Sequence, residues 1–370
     1  MALGMLGAGQ ARLPTEFPLS DLGERLDSRI GPALAPAEPA RAGERMPRRA
    51  PAPEVYAALD LGTNNCRLLV ARPSPDGFRV IDAFSRIVRL GEGVSGSGRL
   101  SEDAMARTLA ALQICAAKMR RRRVTRARNV ATEACRRAAN GPAFLDRVRR
   151  ETGLHLDVIS SGEEARLAVA GCAPLIASDA SSALVFDIGG GSTELMWLRR
   201  DARRRPRIYA WTSLRAGVVT LAERYGGQDI SAGDFETMVQ EVASELAPFA
   251  AQNAMPADPD QAQMLGTSGT VTTLAGVHLD LARYDRSRVD GLWLDFDAAD
   301  AVARRLRAMT FDERAAHPCI GRERADLVIA GCAILEAIRR AWPIPRLRVA
   351  DRGVREGLLL SLIRGEAALT

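Results

Sequence analysis

The sequence predicts an α/β protein built from two similar domains that face each other across a cleft. Its 370 residues, 47% of them apolar, are enough to form two separate buried cores. A strand–turn–strand pattern, "ALDLGTNNCRLLVA", recurs later as "VFDIGGGSTELMWL" and aligns Asp60 with Asp187 and Gly62 with Gly189. Strands and helices alternate after each copy, which indicates an internal duplication.

The N-terminal segment differs in composition from the rest of the chain. Residues 1–53 hold eight of the 19 prolines, mixed with Ala and Arg, and show neither helical nor strand periodicity. They are therefore predicted to be a disordered extension. The first domain is expected over 54–178 and the second over 179–370, with the last helix, 354–364, packing back on the first domain.

The elements follow from hydrophobic periodicity and from capping residues. A helix is predicted over 101–121 with Ser101 as its N-cap, and another over 142–151 after Asn140-Gly141-Pro142. Between them, "ARNVATEACRRAAN" is typical of a strand that runs into a short helix. The remaining predicted strands are 55–61, 66–72, 77–90, 154–160 and 346–351, and the remaining helices are 165–176 after a turn at "SGEE", 324–341 and 354–363.

Composition excludes several classes of site. Lys118 is the only lysine, which excludes a P-loop and argues against Schiff-base chemistry. The three histidines, His155, His278 and His317, lie too far apart in sequence for a His-rich metal site. The six cysteines are scattered without a CxxC pair, which indicates reduced, buried thiols. They are Cys66, Cys115, Cys135, Cys172, Cys319 and Cys332.

Charge and hydropathy limit the kinds of partner and the location that the protein can have. A net charge of +6 and a pI near 9.3 favour a polyanionic partner. The arginine runs 120–128 and 199–207 lack interleaved aromatic residues, which argues against a specific nucleic-acid partner. No apolar run reaches the roughly 20 residues of a membrane span, and the N-terminus does not resemble an export signal. We expect a cytoplasmic protein, with a homodimer as a candidate assembly.

The two glycine turns are candidate phosphate-binding loops. A turn of Gly, Ser, Thr and Asn between two strands points several backbone N–H groups the same way and forms a small anion cradle. Asp187 ends a strand directly before its turn, where its carboxylate can take Mg²⁺ through water, and Glu194 lies on the returning strand. The alternative is a tight hairpin capped by Asp. Two copies at matching positions favour phosphate binding.

A dinucleotide-binding loop is the other interpretation of the second turn. Gly189 and Gly191 match the first two glycines of that fingerprint, but Glu194 occupies the place of the third and would crowd a pyrophosphate. No ribose-binding acid follows in "RIYAWTSL". The dinucleotide interpretation is rejected.

Charged side chains outside the turns complete the candidate site. "SSGEEARL" places Glu163 and Glu164 at a strand-to-helix junction, where one of the two can accept a proton from water. Both can instead simply complement the helix dipole. Arg67 and Arg136 can each grip a phosphate bidentately, or be surface cations.

Seven segments in order resemble the exopolyphosphatase/guanosine pentaphosphate phosphohydrolase family of the actin-like superfamily. They are "ALDLGTNNCRLLVA", "VATEACRRAAN", "ISSGEEARL", "VFDIGGGSTEL", "GTSGTVTTLAG", "RADLVIAGCAIL" and "VADRGVREGLL". The similarity runs from about Tyr56 to Ile363 and is to the short, two-domain form. It implies a duplicated actin-like (ribonuclease H-like) α/β architecture with an interdomain cleft.

The resemblance also implies roles for residues. Glu164 would be the general base that activates water, and Asp187 would position Mg²⁺ or Mn²⁺ with the help of Glu194. The implied phosphate contacts are Asp60, Gly62, Thr63, Asn64, Asn65, Arg67, Arg136, Gly189, Gly190, Gly191, Ser192 and Thr193. Further candidate nucleotide or phosphate contacts are Gly269, Thr270 and Arg324, the last at the start of its helix. The family often has Ser in place of Asn65, so an amide replaces a hydroxyl there.

The implied reaction is release of the terminal orthophosphate from inorganic polyphosphate or guanosine pentaphosphate. Two alternatives stay open. One is a kinase of the same architecture, although nothing in the sequence marks an acceptor pocket. The other is a non-catalytic sensor that binds guanosine tetraphosphate or pentaphosphate, against which Glu164, Asp187 and Glu194 argue.

Overall fold

The structure is a computed structural model that describes residues 54–365 except 76, 204 and 255–260. The predicted extension over 1–53 lies outside the described residues. In the described ranges, no helix is long and apolar enough to span a membrane.

The first sheet has five strands in the order β3-β2-β1-β4-β5. Its central strand, β1, pairs antiparallel with β2 and parallel with β4. The hairpin side of the sheet is therefore antiparallel and the crossover side is parallel. The strands are β1 (Tyr56–Leu61), β2 (Asn65–Ser74), β3 (Gly77–Ile87), β4 (Arg126–Ala131) and β5 (Asp157–Val158).

The second sheet repeats this plan and adds one edge strand. Its order is β10-β11-β9-β6-β7-β8, and the central strand β6 again pairs antiparallel with the next strand and parallel with the crossover strand β9. The strands are β6 (Ser182–Ile188), β7 (Thr193–Arg200), β8 (Pro206–Leu214), β9 (Ala262–Thr267), β10 (Trp293–Asp295) and β11 (Arg346–Ala350). The predicted duplicated α/β fold is confirmed.

Helices cover the sheets and connect their strands. They are α1 (Val94–Ser97), α2 (Glu102–Arg121), α3 (Glu133–Arg137), α4 (Gly141–Thr152), α5 (Ser161–Cys172), α6 (Val218–Tyr225), α7 (Ala232–Gln252), α8 (Gly269–His278), α9 (Arg286–Val289), α10 (Phe296–Ala308), α11 (Phe311–Ala316), α12 (Val328–Ala341) and α13 (Val354–Arg364), with a 3₁₀ turn over Ala173–Leu175. The predicted cap of α2 is confirmed, because the Ser101 hydroxyl accepts from the Ala104 N–H at 3.2 Å. The first sheet with α1–α4 is named the first lobe, and the second sheet with α6–α12 the second lobe.

Several sequence-based boundaries are wrong. The strand predicted over 77–90 ends at Ile87, and the helix predicted over 165–176 ends at Cys172. The "SGEE" segment is the first turn of α5 rather than a turn before it, because the Ser160 hydroxyl caps the Glu163 N–H at 3.2 Å. The helix predicted from 324 begins at Val328, after a series of turns. The strand predicted over 154–160 is reduced to two residues at the sheet edge.

Two helices lie between the sheets and form the floor of the molecule. α13 packs against α5 and β1, and α5 also contacts β7. The two helices cross at backbone distance, because an added Cβ at Gly171 would lie 2.1 Å from the Gly353 carbonyl oxygen, and one at Gly357 would lie 2.1 Å from that of Leu167. This close crossing places the start of α13 beside the C-terminal half of α5.

One cysteine takes part in that junction, because the Cys172 Sγ donates to the Arg352 carbonyl oxygen at 3.2 Å. All six cysteines are free and buried, as predicted. Lys118 lies on α2 and pairs with Asp82 on β3 at 2.6 Å. Two arginines of the predicted basic run, Arg121 and Arg122, pair with the same carboxylate at 3.2 and 2.8 Å.

Candidate active site

A cleft of about 120 Å³ opens between the two glycine turns. It brings together residues that are up to 294 positions apart in sequence (Asp60 and Val354), and all but three of the predicted site residues line it. Those lining it are Asp60, Gly62, Thr63, Asn64, Asn65, Arg67, Glu164, Asp187, Gly189, Gly190, Gly191, Ser192, Gly269, Thr270 and Arg324. Arg136, Thr193 and Glu194 are not among the lining residues.

The first turn joins β1 to β2. The Gly62 N–H donates across it to the Asn65 carbonyl oxygen at 2.9 Å. The segment after β3 supports the turn from behind, since the Val88 N–H donates to the Asn64 carbonyl oxygen at 2.8 Å. Asp60 stands directly opposite Arg67 on the neighbouring strand.

The second turn joins β6 to β7 in the same way. The Gly189 N–H donates to the Ser192 carbonyl oxygen at 2.9 Å, and the start of α6 supports the turn through the Val219 N–H, which donates to the Gly190 carbonyl oxygen at 2.8 Å. The Thr193 hydroxyl is fully buried and donates to the Ala216 carbonyl oxygen at 2.6 Å. Its hydroxyl thus stabilises the turn from within the protein.

Glu194 stands directly opposite Asp187 and is only 2% exposed. Its Oε1 accepts from the hydroxyls of Ser192 at 2.8 Å and Ser213 at 2.7 Å. These donors fix the orientation of the carboxylate beneath the cleft.

The two turns touch each other across the cleft. An added Cβ at Gly190 would lie 3.0 Å from the Thr63 Cβ and 3.1 Å from the Asn64 amide nitrogen. The two turns therefore border the cleft side by side.

The structure distinguishes the two neighbouring glutamates at the start of α5. Glu163 forms an ion pair with Arg128, whereas Glu164 lines the cleft. Glu164 is thus the member of the pair that can meet a ligand, as the sequence analysis expects.

Burial raises the pKa values of the cleft carboxyl groups. It raises the pKa of Asp187 to about 6 and that of Glu194 to about 7, with the charge of Asp187 adding to the effect on Glu194. Burial, followed by the charge of Glu194, raises the pKa of Glu164 well above its usual range, and Arg136 opposes this shift. Crowded, desolvated carboxylates of this kind are stabilised by a bound cation.

Arg136 lies beneath the cleft rather than in it. Its Nε and Nη2 donate to Glu133 Oε2 at 3.0 and 2.6 Å, and its Nη1 donates to the Ile159 carbonyl oxygen at 2.6 Å. Nη2 also approaches Glu164 Oε2 at 3.5 Å. The structure therefore places Arg136 as a support for two carboxylates.

Sequence reasoning missed two charged residues near the cleft. Glu133, at the start of α3, lines it. Arg355, at the start of α13, lies close enough to Asp60 to counter the rise that burial causes in the pKa of that carboxyl group, as Arg67 also does. Both residues lie in segments that carry the family resemblance, "VATEACRR" and "VADRGVREG". Their positions as charged residues at the start of a helix could have identified them.

The N-terminus of α8 forms another wall of the cleft. Ser268 precedes it with φ 117°, an uncommon conformation for a residue other than glycine. Its hydroxyl, and the side-chain Oδ1 atoms of Asn64 and Asn65, are buried without a hydrogen-bond partner in the described structure. Unpartnered buried polar atoms around one cleft indicate a polar ligand.

The donor set fits a divalent cation. Within the described ranges, no group of three or more His, Cys, Asp or Glu residues could hold a metal by itself. A cation bound at Asp187 and Glu194 would need water or ligand oxygens to complete its coordination. Hard divalent cations commonly bind in that way, with oxygen ligands from few carboxylates.

Comparison with known proteins extends over most of the chain. Residues 69–366 match the family model of the Ppx/GppA phosphatase family. The chain is 32% identical to "Exopolyphosphatase 2" of Mycobacterium tuberculosis over 325 residues, with 83% of this chain and 98% of that protein covered. It is 28% identical to a guanosine-5'-triphosphate,3'-diphosphate pyrophosphatase of Photobacterium profundum, covering 85% of this chain and 60% of that protein.

Solved structures agree with this result. The crystal structure of the Aquifex aeolicus member of the Ppx/GppA family has a TM-score of 0.70 and 28% identity, and covers 85% of this chain and 99% of that one. An exopolyphosphatase from Cytophaga hutchinsonii, at 24% identity, shares the fold with a TM-score of 0.77, covering 84% of this chain and 98% of that one. With its duplicated sheets and the facing turns between them, the chain belongs to the Ppx/GppA phosphatase family.

Proposed function

We propose that this chain is a cytoplasmic, magnesium-dependent phosphohydrolase that releases the terminal orthophosphate from inorganic polyphosphate or guanosine pentaphosphate. The observation that carries the proposal is the position of Glu164, a largely buried carboxyl group that faces two glycine turns in one cleft. Similarity to relatives named for polyphosphate and for guanosine pentaphosphate supports these two substrates.

The chain provides several binding groups for a phosphate chain. Backbone N–H groups of the turns 62–65 and 189–193 and the N-terminus of α8 suit anionic oxygens. The Arg67 guanidinium, which lines the cleft, adds a planar cation that suits phosphate oxygens. Gly269 and Thr270 would contact the phosphates from α8, and Arg324 from the loop before α12.

Glu164 would accept the proton of the water that attacks the terminal phosphorus. A raised pKa matches a general base that works near neutral pH. Arg136, anchored by Glu133, would hold the Glu164 carboxylate in position rather than contact phosphate. The proton then resides on Glu164 until solvent removes it.

Asp187 and Glu194 would hold Mg²⁺, or Mn²⁺ in its place. When bound, such a cation offsets charge on the phosphate oxygens. Asp60, on the opposite side of the cleft from this pair, would remain beside Arg67.

We further propose that the two domains comprise 54–178 and 179–370, as expected from the duplication. Helix α13 belongs in sequence to the second of these and packs on β1 of the first sheet. A homodimer remains a candidate assembly.

The proposal is tested by orthophosphate release from long-chain polyphosphate and from guanosine pentaphosphate, offered separately with Mg²⁺. Glu164→Gln should lower kcat by about 10³-fold, since it removes the general base. Glu163→Gln is the matched control, because its carboxylate is engaged with Arg128, and it should keep nearly full activity.

Other outcomes would favour the alternatives. Tight guanosine pentaphosphate binding without release would favour the sensor. Phosphate recovered on an acceptor rather than free in solution would favour the kinase.

A further inference from the structure

We infer that Arg89 and Asp326 form an ionic clasp between the two lobes, which positions Arg324 in the substrate cleft. Arg89 follows β3 in the first lobe, and Asp326 precedes α12 in the second, 237 positions further along the chain. The Arg89 Nη1 and Nη2 donate to the two Asp326 carboxylate oxygens at 2.8 and 2.7 Å. Nη2 also donates to the Glu323 carbonyl oxygen at 3.1 Å.

One end of the clasp is attached to the first phosphate turn. The Arg89 N–H donates to the Asn64 carbonyl oxygen at 3.1 Å, and the Gly91 N–H donates to that of Thr63 at 2.9 Å. An added Cβ at Gly91 would lie 2.3 Å from Thr63 Cγ2, which shows how closely the segment packs on the turn. A shift of Arg89 therefore moves the backbone that would bind phosphate.

The other end carries Arg324. Its carbonyl oxygen accepts from the N–H groups of Leu327 at 3.0 Å and Val328 at 3.1 Å. The clasp holds Glu323, the residue directly before this arginine, and Asp326, two positions after it. With the chain fixed from the opposite lobe both before and after it, Arg324 is held where it lines the cleft.

The backbone at Arg89 supports a role beyond surface pairing. Its φ is 47°, in the left-handed region that residues other than glycine seldom occupy. Such conformations persist where surrounding contacts impose them, and they concentrate at functional sites. The side chains of Arg89 and Asp326 are only 28% and 20% exposed, and a bidentate, half-buried pair is stronger than an exposed one.

A second contact joins the same segment to the second lobe. The Gly93 N–H donates to Glu223 Oε1 on α6 at 2.7 Å. α6 in turn supports the second phosphate turn through the Val219 N–H. The segment 88–93 thus contacts two of the second-lobe structures that border the cleft, α6 and the loop before α12.

The catalytic effect of the clasp rests on the proposed function, and kinetics test it. Arg89→Met and Asp326→Asn should each raise the KM for guanosine pentaphosphate about tenfold, with a smaller change in kcat, because Arg324 loses its position but the base is untouched. The exchange variant Arg89→Asp with Asp326→Arg should recover most of the loss, since Asp tolerates a left-handed backbone.

Glu92→Gln is the matched control. Glu92 lies on the same segment as Arg89 and forms an ion pair with Arg107 of α2 at 2.7 Å. This pair lies within the first lobe, so breaking it should leave the KM unchanged. An equal rise in KM for Glu92→Gln and Asp326→Asn would contradict the clasp. Thermal unfolding checks that each variant folds. If Arg89→Met does not fold, the kinetic test rests on Asp326→Asn.

A distance measurement tests the clasp without any turnover. Spin labels at Ser95→Cys and Ala316→Cys, both exposed positions on opposite lobes, will react selectively because the six native cysteines are buried. Pulsed electron spin resonance should show longer, broader distances in Arg89→Met and recovery in the exchange variant. An unchanged distribution would overturn the clasp, whereas a lengthened one in a protein that hydrolyses neither substrate would overturn only the proposed function.

Discussion

The two glycine turns have the same backbone and differ in the charge beside it. In each, the first glycine donates across the turn to a carbonyl oxygen at 2.9 Å, and each follows an aspartate at the end of the central strand of its sheet. The cross-strand partner of Asp60 is Arg67, but that of Asp187 is Glu194. The duplicated turn thus differs between the lobes in the residue opposite its aspartate, which is a cation in the first lobe and a second carboxylate in the second.

The largest expected effect comes from neutralising the two aspartates in turn. Asp187→Asn should lower Mg²⁺-dependent phosphate release by about 10³-fold, because it removes half of the proposed metal-binding pair. Asp60→Asn should cause a clearly smaller loss, since Arg67 remains beside it. Activity measured across a Mg²⁺ titration separates the two, and equal losses would mean that the half-sites do not differ in function.

A smaller effect is expected when the free energy of unfolding is measured as a function of pH. The pKa of Asp187 rises from 3.8 to about 6 and that of Glu194 from 4.5 to about 7 on folding. The folded state then binds protons more tightly than the unfolded state, so this stabilisation is present at low pH and is lost as pH rises. Metal-free protein should lose on the order of 3 kcal/mol for each of the two carboxyl groups between about pH 4 and about pH 7.

Denaturant unfolding with EDTA or with Mg²⁺ measures this loss. Mg²⁺ should restore stability at the higher pH because it binds the deprotonated pair. Asp187→Asn should flatten the pH dependence more than Asp60→Asn does. A flat profile in the metal-free wild-type protein would show that the carboxylates are not crowded in solution.

The smallest effect concerns the supports behind the turns. An added Cβ at Gly217 would lie 2.3 Å from the Gly190 carbonyl oxygen, whereas one at Gly91 would meet the Thr63 Cγ2 methyl at the same distance. Backbone cannot yield as a side chain can, so Gly217→Ala should destabilise by about 2 kcal/mol and Gly91→Ala by less than about 1 kcal/mol. Unfolding free energies in denaturant test this, and the reverse order would contradict it.

Local patterns were enough to predict the turns and the fold around them. The Asp-x-Gly spacing between apolar strands occurs twice, and Ser101 followed by two acidic residues marks the start of α2. Such signals depend on residues within one turn or one hairpin. They also led to the pair Glu163 and Glu164 at a helix start, while the choice of Glu164 came from the family resemblance.

Side-chain direction and distant pairing were not predictable in this way. Spacing does not show whether a long side chain such as that of Arg136 turns into the cleft or towards the carboxylates beneath it. The pairing of Arg89 with Asp326 depends on how the lobes pack, as does the approach of Arg355 to Asp60 through α13. These features arise only when the two halves of the chain come together.

The position of the single lysine restricts how the cleft can respond to acid and base. Lys118 pairs with Asp82 on a different face, and no histidine, cysteine or tyrosine is among the residues that line the cleft. Its cations are arginines, which stay protonated at any pH where proteins fold. Proton release within the cleft is therefore confined to carboxyl groups, and a rate governed by them climbs with pH to a plateau instead of falling again on the alkaline side.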